Sequence, residues 1–113
     1  MKDTFEYAVN GKETIVTYDS AGNILFQVYD VEDTALICHL LDSVQFCYRR
    51  LKALDHPIKI QCVGGCIVAT TFNNSYVSAS AKVKRVPVLL QGLFEWLVTL
   101  IEEVECSSCC VNQ

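Results

Sequence analysis

The sequence predicts an α+β domain, an antiparallel sheet with two helices in the order βββ-α-βββ-α. Three observations predict it. Short alternating apolar runs, separated by Asn10-Gly11, Gly22-Asn23, Gly64-Gly65 and Asn73-Asn74, fill residues 4–29 and again 58–83. Two segments, Leu36 to Leu54 and Val88 to Glu105, carry apolar residues at helical spacing. Strand runs and helices alternate in blocks, which is the pattern of helices packed on an antiparallel sheet.

The 113 residues match the length of one domain and contain no linker, low-complexity tract or long charge run. The expected organisation is a domain over residues 1–105 and a Cys-rich tail over 106–113. Hydrophobic residues make up 51% and charged residues 19%, which excludes disorder as the main state. Nine basic residues against thirteen acidic ones give a formal charge of -4, which argues against a nucleic-acid binder that works by neutralising phosphates.

The first strand is read over Thr4 to Val9, where Phe5, Tyr7 and Val9 alternate with Thr4, Glu6 and Ala8. Asn10-Gly11 is a strong hairpin signal. The return strand is Thr14 to Tyr18, and Asp19 to Asn23 turns the chain into a third strand, Ile24 to Tyr29. Asp30 has the character of a helix N-cap, with Glu32 and Asp33 placed to meet the dipole. The helix follows with Leu36, Ile37, Leu40, Leu41, Val44, Cys47, Tyr48, Leu51 and Leu54 on its apolar stripe. Arg49, Arg50 and Lys52 suit its C-terminal end, and Asp55-His56-Pro57 stops it. Ile58 to Val63, Cys66 to Phe72 and Ser75 to Val83 are the second set of strands. Pro87 opens the closing helix, a position where a first turn tolerates proline. The tail from Cys106 is expected to be poorly structured.

Seven cysteines cannot all pair within one chain. The N-terminus shows no apolar signal segment, and the run from Val86 to Ile101 is too short and too interrupted to span a bilayer. Reduced thiols in a cytoplasmic protein are the expectation. Cys38 and Cys47 read as small core hydrophobes. Cys62, Cys66, Cys106 and Cys109 offer four thiolates, the number a tetrahedral zinc needs. A two-residue loop at Gly64-Gly65 would pair Val63 with Cys66 and put Cys62 and Cys66 on opposite faces, which counts against that site. Cys110-Val111-Asn112-Gln113 has the frame of a prenylation box, with Cys106 and Cys109 as palmitoylation candidates. Asn112 and the acidic run Glu102, Glu103, Glu105 oppose this reading.

No catalytic constellation stands out, so no enzyme and no cofactor is expected. His39 and His56 are the only histidines, and His39 lies beside Cys38 in sequence, hence on a different helix face. Interaction surfaces are better marked. Phe46 is out of step with its helix's apolar stripe, with Asp42, Arg49 and Arg50 as neighbours at helical spacing and His39 two turns back. That is the composition of a partner-binding anchor. The closing helix is apolar nearly all round, which requires more than one partner surface. Lys84 and Arg85 precede it and Glu102 and Glu103 sit near its end, against its dipole. An antiparallel second copy, or a similar module in a heterodimer, would answer both, with Lys84, Arg85, Leu93, Trp96, Leu97, Leu100, Glu102 and Glu103 at the dimer interface.

From Thr14 onward the chain resembles the roadblock and longin domains, small profilin-like modules. Val16 to Leu25 resembles their opening hairpin, Ile58 to Val83 their three-strand meander and Leu89 to Leu97 their closing helix, over residues 14–105. The first strand, Thr4 to Val9, fits longin better than roadblock domains, which begin with a helix. The resemblance implies a non-enzymatic, dimerising scaffold that contacts a GTPase or a vesicle-traffic complex, joined to a membrane only through a lipidated tail. Short length, acidity and the lack of catalytic motifs also fit a virus- or phage-encoded inhibitor of a host defence protein. A zinc- or thiol-dependent protein is the third reading.

Overall fold

The computed structural model describes residues 6–9, 15–18, 22, 24–28, 34–63, 66–72, 74–77 and 86–111. The elements are β1 (Glu6–Val9), β2 (Ile15–Tyr18), β3 (Ile24–Val28), α1 (Thr34–Ala53), β4 (Lys59–Val63), β5 (Cys66–Thr70), β6 (Ser75–Val77) and α2 (Val86–Val111). This is the expected α+β order. Among the described residues the strands form two antiparallel three-stranded sheets, β1-β2-β3 and β4-β5-β6.

Each sheet follows from its turn chemistry and its alternation. β1 pairs with β2 from Glu6↔Tyr18 to Val9↔Ile15, and β2 pairs with β3 with a register shift between Thr17 and Tyr18. Gly22, between β2 and β3, has φ 88°, a left-handed conformation that glycine adopts without a Cβ clash. β4 and β5 pair from Lys59↔Thr70 to Val63↔Cys66, the register of a two-residue loop. Cys62 therefore pairs with Ile67 and not with Cys66. On β5, Ile67 and Ala69 are buried while Cys66, Val68 and Thr70 are half-buried, the period-2 pattern of a sheet with one face on the core. β6 is short, and residues 78–83 of the expected strand lie outside the described residues.

The stripe on α1 buries Ile37, Leu40, Leu41, Val44, Cys47 and Leu51. Its end is a Schellman cap. The His56 N–H donates to the Leu51 carbonyl at 2.9 Å and the Asp55 N–H to that of Lys52 at 3.0 Å. Asp55 takes the left-handed position with φ 60°. The proposed N-cap Asp30, with Glu32 and Asp33, lies outside the described residues.

α2 differs from expectation at both ends. It begins at Val86 and continues through the expected tail to Val111. No Gly or Pro follows Gly92, so nothing in the sequence breaks the helix at Glu105. Cys106, Cys109 and Cys110 therefore occupy helical positions rather than a loose end.

The two helices run side by side in the same direction. Leu36 and Leu40, early in α1, line one groove with Pro87 and Val88, early in α2. Near the other ends, the Arg50 Nη2 group donates to the Glu105 carboxylate at 3.1 Å. Leu89, Leu90, Leu93, Leu97 and Leu100 of α2 are all buried. Most of them join the α1 stripe and Ile58, Ile60, Ile67 and Ala69 in one core.

This arrangement gives α2 cover from within the chain. Its wide apolar circumference does have two partner surfaces, and both belong to the same chain. One is α1. The other is the β4-β6 sheet, from which Tyr76 packs against Trp96 with ring centroids 5.8 Å apart. Phe94, Trp96, Val98, Ile101 and Val104 all pack against the core. The face left outside carries Gln91, Glu95, Thr99, Glu102 and Cys106, all exposed. No helix among the described residues is long and apolar enough to cross a membrane.

Candidate functional site

The outward face of α1 is built by the same periodicity that builds its core. Residues at i±3, i±4 and i±7 of an α-helix share a face. On the side away from the core these are Ala35, His39, Asp42, Phe46, Arg49, Arg50 and Ala53, all exposed. Phe46 is 69% exposed, so a large aromatic ring stands in solvent at the middle of this face. A lone exposed apolar residue is ordinary. A phenylalanine ringed by ionic side chains is not, because aromatic and arginine side chains together are what protein interfaces concentrate.

Two members of this face are already engaged. The Tyr7 hydroxyl donates to Asp42 Oδ1 at 2.7 Å and lies 3.4 Å from the Cys38 carbonyl oxygen, which ties β1 to α1. Burial, then the hydrogen bond to Asp42 and its charge, push the Tyr7 pKa above the ordinary tyrosine value. Arg50 holds Glu105. Both ties were invisible in the sequence because they join residues 35 and 55 positions apart. Among the described residues, Arg49 and His39 have no side-chain hydrogen bond or ion pair, so Phe46 and Arg49 are the free centre of the face.

Comparison with protein-family models, with curated proteins and with solved structures gives no match.

The expected dimer surface is redrawn by burial. Leu93 and Leu97 are 0% exposed and Leu100 4%, so none of the three is offered to a second copy. Trp96 is half-buried under Tyr76, Glu102 and Glu103 are exposed, and Lys84 and Arg85 lie outside the described residues.

The cysteines separate by environment. Cys47 is buried, and burial pushes its thiol pKa up, which keeps it protonated and unreactive. Cys38 and Cys66 are half-buried and Cys106 is exposed. Among the described residues no group of three or more His, Cys, Asp or Glu side chains could hold a metal. The side chains of Cys62, Cys109 and Cys110, needed for the zinc and lipidation readings, lie outside the described residues.

His56 is half-buried. Its ring meets Phe72 edge-on, with centroids 5.4 Å apart and planes at 83°, and its Nε2 is buried without a hydrogen-bond partner. It lines a pocket of about 260 Å³ with Asn74, Leu100, Glu103, Val104 and Ser107. The Asp55-His56-Pro57 stop signal located this residue in a turn. Its burial depends on α2 and on Phe72, which local sequence does not report.

Proposed function

We propose that the chain is a protein-binding module whose outward α1 face, anchored by Phe46, docks on another protein. The carrying observation is the 69% exposure of Phe46 beside Arg49, whose guanidinium has no ionic or hydrogen-bonding partner among the described residues. The partner surface this fits is an apolar pocket rimmed by carboxylates. The ring fills the pocket and the guanidinium meets an acid at the rim, where charge complementarity also speeds encounter. In its finer form the reading makes the chain a roadblock- or longin-like scaffold. What supports that is the order of hairpin, long helix, three-strand meander and closing helix.

A photo-crosslinking amino acid placed at Phe46 in the source cells tests the reading. The expected result is one adduct of discrete mass, absent when the label sits at Gln91 on α2 and weakened by Arg49→Glu. The same adducts from both positions, or none from position 46, would refute it. An adduct at twice the chain mass would identify the partner as a second copy.

A further inference from the structure

We infer that the Phe46 face docks on a second copy of this chain, across a two-fold axis that runs along the helices and lays α1 of each protomer on α2 of the other. This assignment of the partner rests on the reading of Phe46 as a docking anchor. Three observations carry it. The first is apolar surface on the helix layer. Leu36 and Phe46 of α1 and Val88 of α2 are large hydrophobics left exposed. Leu36 and Val88 line a groove of about 420 Å³ between the first turns of the two helices. The groove shares Gln91 and Glu95 with the outward face of α2, so it opens on that same side.

The second is opposite charge on neighbouring faces. The outward face of α1 carries Arg49 and Arg50, and its one carboxylate, Asp42, accepts from Tyr7. The outward face of α2 carries Glu95 and Glu102, and the whole helix contains no Lys, Arg or His. Arg50 already holds Glu105. Among the described residues Arg49 and Glu102 have no ionic or hydrogen-bonding partner, so an uncompensated cation on α1 is matched by an uncompensated anion on α2.

The third is their level along the helices. Leu36 and Leu40 lie beside Pro87 to Glu95, and Arg50 lies beside Glu105, 55 positions on. That offset puts Phe46 level with the turn of Thr99 and Arg49 level with the turn of Glu102. A two-fold axis parallel to the helices preserves levels. Each Phe46 then meets the partner's Thr99, with the partner's Glu95 and the partner's Glu102 one turn to either side, and each Arg49 meets the partner's Glu102. This is a carboxylate-rimmed surface of the kind the Phe46 and Arg49 pair fits. The grooves of the two copies meet on the axis. A two-fold axis across the helices would instead set α2 on α2 and press acid against acid, so charge selects the first arrangement. A layer two helices wide and ~30 Å long, the length of α1, covers roughly 600 Å² per protomer, the lower range of specific interfaces.

Sedimentation equilibrium of the full chain under reducing conditions is the test. A dimer with a Kd of about 1–100 µM is expected. Arg49→Glu and Glu102→Arg should each weaken association at least about tenfold, with circular dichroism unchanged. The double variant, whose swapped charges meet again across the axis, should recover to within about threefold of wild type. A photo-crosslinker at position 46 of the purified chain should give a covalent dimer joined to tryptic peptide 86–113, which is kept whole because α2 has no Lys or Arg. A monomer up to ~0.5 mM overturns the inference, as does a double variant no better than either single one. A covalent dimer joined through α1 alone also overturns it. A purified monomer together with a discrete adduct of another mass in cells overturns the second copy and leaves Phe46 an anchor for a different protein, so the two readings fail separately.

Discussion

Replacing Gly92 by alanine pits two effects of similar size against each other, and the structure says which wins. In a helix interior alanine is favoured over glycine by about 1 kcal/mol. At this position, however, a Cβ would sit 2.5 Å from the Tyr76 hydroxyl oxygen and 3.6 Å from its Cζ. Tyr76 cannot swing away freely, because its ring rests on Trp96. Overpacking of this kind costs about 1–3 kcal/mol. Gly92→Ala alone should therefore be destabilising by up to about 2 kcal/mol, or at best neutral. Removing the hydroxyl first reverses the sign. In Tyr76→Phe the nearest atom becomes a ring carbon at ordinary contact distance, and Gly92→Ala should then stabilise by about 1 kcal/mol. The coupling across the double-mutant cycle is about 1–3 kcal/mol. Urea unfolding followed by the single tryptophan, Trp96, measures it, since that ring lies beside the pair. Equal effects of Gly92→Ala in the two backgrounds, within about 0.3 kcal/mol, would show that β6 does not close on α2 through this contact.

Three further outcomes follow from the same geometry. Asp55→Gly should raise stability by about 0.5–1 kcal/mol in urea titrations, because a left-handed residue with a Cβ is strained by ~1–2 kcal/mol and glycine's larger unfolded-state entropy offsets part of that gain. Tyr7→Phe should cost about 1 kcal/mol at neutral pH. Because the folded state holds the Tyr7 proton more tightly than the unfolded chain does, that contribution is complete below the ordinary tyrosine value of 10.0. It is lost as pH rises above it, so the wild-type advantage should shrink as pH rises above ~10. Finally, Leu97→Ala should cost ~3 kcal/mol, as for a fully buried leucine, while Phe46→Ala should change stability by less than ~0.5 kcal/mol. Thermal unfolding of the two variants separates a core role from a surface role.

The fold class was legible because it is written in local periods. The alternation around Asn10-Gly11, Gly22-Asn23 and Gly64-Gly65 and the 3.6-residue stripe on α1 each state an element within one window of sequence. The outward position of Phe46 was legible for the same reason, since a residue out of step with its own helix's stripe must face away from it. The pocket beside His56 was not. His56, Asn74 and Glu103 come from three separate elements, and no spacing rule relates them. The length of α2 was misjudged because serine and cysteine are weak signals either to end a helix or to continue it.

Sequence alone determined the order and type of the elements and which face of α1 is apolar. Only the tertiary structure decided what those faces meet. An apolar circumference says that a helix requires cover and not where the cover comes from. For α2 it comes from α1 and from Tyr76 on β6 of the same chain, so the leucines expected at an interface with a second copy lie in the core. Burial is a property of the whole assembly of elements, because it depends on contacts between residues far apart in sequence. A periodic pattern reports only the contacts that one element is prepared to make.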